Sequence, residues 1–296
     1  MSKQLSSFEQ VPYVGRYAPS PTGVLHLGNL RTALLAWLHA KLHGGRFLVR
    51  MEDLDQPRVV EGSAAQILLD LEWLGITWDG EVLFQSDRYE VYQDAMRLLG
   101  DLSLVYPCFC SRKEIREAAS APHGETPLYP GFCRSLSEAE REQKAALKAP
   151  AYRVNTQDSA WAKSDFIVQR ADGIYAYHLA VTVDDLDQGV TDVVRGADLI
   201  NSVSEQRQLA AWLAPAQATI NYQHVRLMMD SLGHRMSKRD GSRSAMQWRS
   251  EGRVAEQLIA KFAYSLGWID CEEPLSADEL LGIITLSDWE SAIAEK

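Results

Sequence analysis

The stretch Tyr13-Val14-Gly15-Arg16-Tyr17-Ala18-Pro19-Ser20-Pro21-Thr22-Gly23-Val24-Leu25-His26-Leu27-Gly28-Asn29 decides the fold. An apolar strand, roughly Tyr13 to Ala18, runs into a Pro/Gly turn at Pro19 to Gly23, and a long helix follows. Leu27, Leu30, Leu34, Trp37, Leu38 and Leu42 recur at three- and four-residue steps and predict one buried helix face. Gly44-Gly45 stops the helix. Strand, turn and helix in that order present unpaired N–H groups and the positive end of a helix dipole, which suits a triphosphate. Gly28 permits close backbone approach to a nucleotide. His26 and Asn29, in the first helical turn, can donate to phosphate oxygens as charge builds there. The plainer reading is an ordinary strand–helix turn with an incidental histidine.

Further along, Asp230-Ser231-Leu232-Gly233-His234-Arg235-Met236-Ser237-Lys238-Arg239-Asp240-Gly241 forms a polar, Gly-flanked loop with three cations. A lysine on such a loop is a compact point charge that can stabilise a pyrophosphate leaving group. Alone, the segment reads as a solvated basic loop. Paired with the first element, it implies an ATP site cleaving between the α- and β-phosphates, and so activation of a carboxylic acid as its adenylate.

These two segments resemble the HIGH and KMSKS signatures of class I aminoacyl-tRNA synthetases. Arg16 to Gly23, Arg50-Met51-Glu52-Asp53-Leu54-Asp55 and Val193-Val194-Arg195-Gly196-Ala197-Asp198-Leu199 resemble the glutamyl branch, and the likeness covers nearly the whole chain. Two positions depart from it: Asn29 replaces the second His of HIGH, and Arg235 replaces the first Lys of KMSKS. Full glutamyl-tRNA synthetases carry a large anticodon-binding region after the KMSKS loop, whereas 57 residues follow Arg239 here. The chain is therefore similar to the shorter paralogous family, the glutamyl-queuosine tRNA(Asp) synthetases. That resemblance implies ATP with Mg²⁺, L-glutamate and queuosine-bearing tRNA(Asp) as partners. It also implies tRNA-independent formation of glutamyl-adenylate, then transfer to the queuosine base. His26, Asn29 and Lys238 would be catalytic, and Pro19, Ser20, His26, Gly28, Asn29 and Lys238 would hold ATP.

Glutamate requires cations for two carboxylates and an acid for its ammonium. Glu52 ends the strand-like run Arg46 to Met51, and Arg195 follows Val190 to Val194, at carboxyl ends where open α/β sheets bind ligands. By resemblance, Arg16, Tyr17, Ala18, Pro19, Ser20, Glu52, Tyr177 and Arg195 contact glutamate. Glu52 would take the ammonium, and the two arginines the carboxylates. Structural alternatives are a surface carboxylate at Glu52 and an ion pair of Arg195 with Asp192 or Asp198. Tyr175 and Tyr177 alternate as in a strand, and only the resemblance selects Tyr177.

Cys108, Cys110, Cys133 and Cys271 are too few for a disulfide scaffold in 296 residues, and no signal peptide is visible. Reduced thiols and a cytoplasmic location are expected. Cys108-Phe109-Cys110 with Cys133 offers three ligands, and a structural Zn²⁺ site normally takes four. Coordination chemistry favours His123 as the fourth. Resemblance to a Cys-x-Cys…Tyr-x₃-Cys zinc site selects Tyr129. Three buried free cysteines are the alternative, and Cys271 is expected to be an unrelated thiol.

The alternation of strands and helices predicts an α/β fold: a Rossmann-type nucleotide-binding domain of the class I kind, with a zinc-containing α/β insert and a short helical C-terminal segment. Residues 1–105 and 188–245 would form its halves, 106–187 the insert, and 246–296 the helical segment. Within that segment Val254, Leu258, Phe262 and Leu266 predict a buried face capped by Gly267. A hydrophobic content of 46% supports a sizeable core, and no apolar run reaches membrane-spanning length. The net charge of −10 is awkward for an RNA partner. Part of it concentrates in residues 270–296, where eight acids face one lysine. Cations cluster at Arg112, Lys113 and Arg116, and from Arg235 to Arg253. A monomer is expected. Competing functions are a minimal glutamyl-tRNA synthetase charging a 3′ end, another HIGH-type nucleotidyltransferase, and a non-catalytic RNA-binding paralogue.

Overall fold

The computed structural model describes residues 12–119, 128–217, 219–226, 228 and 244–294. Lys238, Arg235, Arg239 and His123 lie outside the described residues. In chain order the elements begin β1 (Val14–Tyr17), α1 (Leu27–Leu42), β2 (Arg46–Met51), α2 (Ser63–Trp73), β3 (Leu83–Phe84) and α3 (Tyr89–Asp101). They continue β4 (Val105–Cys108), α4 (Arg112–Ala119), α5 (Glu138–Ala145), β5 (Ala151–Val154), β6 (Ile167–Gln169) and α6 (Tyr177–Asp187). The chain then forms β7 (Asp192–Gly196), α7 (Val203–Leu213), β8 (Asn221–Val225), α8 (Ala245–Ser250), α9 (Ala255–Ser265), α10 (Ala277–Ile283) and α11 (Leu286–Ala294).

Two sheets result. Five parallel strands run in the order β3-β2-β1-β7-β8. A separate antiparallel sheet, β4-β5-β6, carries the cysteine region. The central strands are apolar because both faces are covered, as parallel sheets require, whereas the edge strand β8 is polar and only partly buried. β1 is buried throughout and β2 is buried after Arg46.

α1 differs from the single buried face read from its periodicity. Leu27, Leu30, Leu34, Trp37 and Leu38 are buried as expected, but so are Ala33, Leu35, Ala36, His39 and Ala40. The sheet takes one side and α10 and α11 take the other. Trp289 of α11 is fully buried and donates its indole N–H to the Leu35 carbonyl at 3.0 Å. The C-terminal helices thus clamp the helix whose first turn builds the site. On α9, Leu258 and Phe262 are buried as expected. Val254 is instead exposed, because it precedes the helix as its N-cap, and Leu266 is its half-buried C-cap. Gly267, at φ +72°, ends the helix in the left-handed conformation.

Candidate active site

In the parallel sheet the direction of strand succession reverses between β1 and β7, which opens a crevice at their carboxyl ends. The turn leaving β1 is pinned from both sides. The Glu52 N–H donates to the Pro19 carbonyl at 2.9 Å, and that of Val60 to the Pro21 carbonyl at 3.0 Å. The Ser63 hydroxyl donates to the Gly23 carbonyl at 2.7 Å and accepts from its N–H at 3.1 Å. His26 is the N-cap of α1 and bridges to Ser244, where the chain returns after residues 229–243. One cavity of about 790 Å³ is lined by Arg16, Tyr17, Ala18, Pro19, Ser20, His26, Gly28, Asn29, Glu52, Tyr177 and Arg195. Every described candidate for glutamate or ATP is therefore at one place. Thr32, Arg58, Asp198 and Met228 line it as well.

The surrounding backbone and packing do not require a glycine at position 28. Its φ is not positive, and an added Cβ would meet only Met228, at 3.9 Å, an ordinary contact. The space it leaves open belongs to the pocket.

At the other end of the cavity, Arg195 is 4% exposed. Its guanidinium donates to Gln206 Oε1 at 2.7 Å, to the Leu199 carbonyl at 3.1 Å, and to the Tyr177 hydroxyl at 3.4 Å. These groups are neutral. The ion pair with Asp192 or Asp198 weighed from sequence does not form. Burial lowers the Arg195 pKa, but a guanidinium remains charged. A buried cation held by neutral groups attracts a ligand carboxylate.

Arg16 is held differently. Its Nε donates to Asp185 Oδ1 at 3.2 Å and its Nη2 to Asp185 Oδ2 at 3.5 Å. Beneath it lies Arg50, fully buried, 2.7 Å from Asp185, 3.6 Å from Asp184 and 3.7 Å from Glu52. Asp184 also accepts from Gln85, Arg88 and Tyr92. Burial pushes the Glu52 carboxyl up to about 7, with Arg50 and Arg16 opposing the rise. The two arginines, aided by their hydrogen bonds, outweigh burial at Asp185 and hold it below the usual carboxylate range. Sequence reasoning missed Arg50, Asp184 and Asp185. The available signals were a charge inside the apolar strand Phe47-Leu48-Val49-Arg50-Met51 and an acidic pair inside an apolar helix.

Tyr175 and Tyr177 do not alternate along a strand. Tyr177 is the first residue of α6, while Tyr175 is buried against Tyr92, in an apolar cluster with Val154, Val168 and Leu179. The cavity continues through Ser20, Glu52, Arg58 and Tyr177 into a cleft of about 1370 Å³, which reaches Arg112, Tyr129 and Asp165 of the insert.

The cysteines meet beside that cleft. The sulfurs of Cys108, Cys110 and Cys133 lie within 4.8 Å of one another, with Cys110 and Cys133 3.6 Å apart. The Tyr129 hydroxyl oxygen is 3.4 Å from Cys108 Sγ and 3.5 Å from Cys110 Sγ. Four ligands around a tetrahedral Zn²⁺ would sit about 3.8 Å apart for sulfur pairs and about 3.5 Å apart for sulfur and oxygen. The donor set fits a metal ion. Cys271 is exposed and separate.

Residues 13–292 match the family model for the catalytic domain of class I tRNA synthetases (E and Q). A glutamyl-Q tRNA(Asp) synthetase of Nocardia farcinica is 46% identical over 267 residues, covering 86% of this chain and 84% of the relative. That of Deinococcus radiodurans is 42% identical over 300 residues, covering 95% and 98%. Among solved structures, the glutamate-tRNA synthetase of Elizabethkingia anophelis aligns with a TM-score of 0.76 at 27% identity, covering 94% of this chain and 66% of that one. A glutamate tRNA ligase of Elizabethkingia meningosepticum, in complex with its amino acid, aligns at 0.74 and 26%, covering 95% and 68%. The chain belongs to the glutamyl-Q tRNA(Asp) synthetases, within the class I tRNA synthetases of the E and Q type.

Proposed function

We propose that this enzyme activates L-glutamate with ATP, without tRNA, and transfers it to the queuosine base in the anticodon of tRNA(Asp). The observation that carries the chemistry is the single cavity joining the His26–Asn29 turn to Arg16, Glu52, Tyr177 and Arg195. ATP lies over the turn with its Mg²⁺, and the helix N-terminus faces the phosphates. Arg195 binds one glutamate carboxylate and Glu52 the ammonium, while Arg16 reaches the other carboxylate from its anchor on Asp185. The α-carboxylate attacks the α-phosphorus in line, and Lys238 stabilises the departing pyrophosphate. Catalysis is positioning and charge stabilisation, with no covalent protein intermediate. A queuosine hydroxyl, brought in along the larger cleft, attacks the adenylate carbonyl and AMP leaves. Cys108, Cys110, Cys133 and Tyr129 hold one structural Zn²⁺, which fixes the insert as the wall of that cleft. The protein acts as a monomer in the cytoplasm.

Transfer to a tRNA 3′ end is the second reading, favoured by the likeness to the two solved glutamate-tRNA synthetases. Incubation with ATP, Mg²⁺ and radiolabelled glutamate separates the two, using tRNA(Asp) with and without queuosine. Label confined to modified tRNA and retained on the anticodon nucleoside is expected. Label on the 3′-terminal adenosine would overturn the proposal in favour of the second reading.

A further inference from the structure

The segment between β5 and β6 is fastened to α7 while leaving one large aromatic ring open. The Ser159 hydroxyl donates to Gln208 Oε1 at 2.6 Å and accepts from the Ala162 N–H at 2.8 Å. The Trp161 N–H lies 3.2 Å from both Ser159 Oγ and Gln208 Oε1. Yet Trp161 remains 48% exposed. An indole whose backbone is already fixed loses little conformational freedom when something stacks on it.

Arg207 supports that ring. Its guanidinium lies 5.5 Å from the Trp161 ring centre and 5.7 Å from that of Tyr222, and Arg195 lies 4.9 Å from Tyr222 on the pocket side. Trp161, Arg207, Tyr222 and Arg195 thus alternate ring and cation from the surface to the glutamate pocket. Gln208 is one turn beyond Glu205 on the same helix face. Both Glu205 and Ser164, three residues after Trp161, line the large cleft. Trp161 itself does not line the cleft; its open ring lies on the surface beside the cleft wall at Ser164 and Glu205.

The charge there points to one kind of occupant. Arg207 and the exposed Lys163 form no ion pair with a described residue, in a chain of net charge −10. Cations with no ion-pair partner among the described residues, close to an open indole, suit a partner that is both negative and flat-faced, which is unpaired RNA. We infer that Trp161, backed by Arg207, is a stacking platform for an unpaired base of the acceptor's anticodon loop. This rests on the acceptor reading proposed above.

The test compares wild type, Trp161→Ala and Trp161→Phe in three assays. These are glutamate-dependent ATP–pyrophosphate exchange, transfer to queuosine-bearing tRNA(Asp), and anisotropy binding of the tRNA(Asp) anticodon stem-loop, with a fully paired stem as control. Pyrophosphate exchange should be unchanged in all three proteins. Trp161→Ala should raise the KM for tRNA and the stem-loop Kd about tenfold or more, with Trp161→Phe within about threefold of wild type. Binding of the paired stem should not change. An unchanged stem-loop Kd in Trp161→Ala overturns the inference, as does failure of wild type to bind the loop or equal weakening on the paired stem. A loss of exchange shared by both variants makes the indole a packing residue and also overturns it. If wild type binds the loop through Trp161 yet transfers no glutamate, the platform stands and the acceptor reading falls.

Discussion

Two buried polar clusters lie along the same cleft and solve opposite problems. Beneath the pocket proposed for glutamate, Arg16, Arg50, Asp184 and Asp185 neutralise one another at 2.7–3.6 Å with no help from outside the chain. In the insert, three thiols and a phenol converge with little to balance them. Arg153 Nε donates to Cys108 Sγ at 3.3 Å, and the Phe109 N–H donates to Cys133 Sγ at 3.3 Å. The first cluster is fully paired within the chain, and Arg16 and Glu52 line the pocket above it. The second has the donors of a metal site, with Arg153 and the Phe109 N–H orienting two of the sulfurs, so its rigidity is expected to come from a bound cation. Preorganisation by internal charge pairing and preorganisation by metal are therefore separable by mutation.

The largest effect is expected at Asp184. It takes hydrogen bonds from Gln85, Arg88 and Tyr92 and stands 3.6 Å from Arg50. Asp184→Ala leaves buried donors and a buried cation without their partner, at a cost of about 3–5 kcal/mol. Denaturant unfolding measures this, and a loss below about 1 kcal/mol, the level of an exposed pair, would show that the network is not what fixes the floor. Next in size is removal of the metal. Metal analysis of the pure protein should find about one equivalent of zinc. Cys108→Ser should abolish it and lower transfer to tRNA at least tenfold, with adenylation largely kept. Equal losses in both reactions would mean that the insert supports the whole catalytic frame, not just the cleft wall.

Asp185→Asn separates charge from geometry. Removing an anion beside Arg16 makes the pocket more positive, so by charge alone glutamate should bind more tightly. If Asp185 acts by fixing Arg16 and Arg50, the KM for glutamate should instead rise by roughly tenfold, the cost of one lost charged hydrogen-bond partner. The KM for ATP should change little, and Asp185→Glu should recover part of the loss. Tighter glutamate binding in Asp185→Asn would refute the positioning role.

How much of this was legible follows from where the information sits. The Pro19–Asn29 turn and the cysteine set are local, and their spacing already placed them; Glu52 and Arg195 follow short apolar runs. The charged floor is not local. Arg50 meets Asp185 135 residues later, and nothing in either neighbourhood announces the pairing. Arg50 is a lone charge inside an apolar run, a pattern that does not say what the charge meets. Asp184-Asp185 is likewise an acidic pair inside an apolar run, with no local sign of its partners. Tyr177 misled through a two-residue repeat with Tyr175, although Leu179, Ala180 and Val183 continue at helical spacing and are all buried. The extra burial of α1 was hidden for a similar reason, since the helices that cover it come from the far end of the chain. Periodicity reports which residues are apolar, not how many layers will pack on them.

Near pH 7 the effect of pH is expected to be smaller, and its sign follows from the ionic form that binds the ammonium. Burial raises Glu52 to about 7, so the free folded protein takes up a proton there between the ordinary carboxylate range and neutrality. Stability from the protonated form is complete below the unfolded value and declines as pH rises toward 7. Binding runs the other way, because only the carboxylate pairs with ammonium. The KM for glutamate should therefore rise as pH falls below 7, by up to about tenfold per unit. Glu52→Gln should bind weakly but lose this dependence, and a variant that kept the same slope would assign the titration to another group.

The smallest effect, and the sharpest for the nucleotide end, is at Gly28. Alanine there adds helix propensity in the first turn of α1 and meets only Met228 at 3.9 Å, so stability should hold or rise by about 0.5–1 kcal/mol. The same methyl group enters the space where the turn would face the nucleotide. Gly28→Ala should therefore raise the KM for ATP severalfold while leaving the KM for glutamate near wild type. A glycine kept for the fold would behave in the opposite way, losing stability without a change in ATP affinity. Pyrophosphate exchange at varied ATP, read beside a thermal melt, tells the two apart. An unchanged KM for ATP with a lowered melting temperature would remove Gly28 from the binding surface and leave the phosphates to the backbone N–H groups and His26.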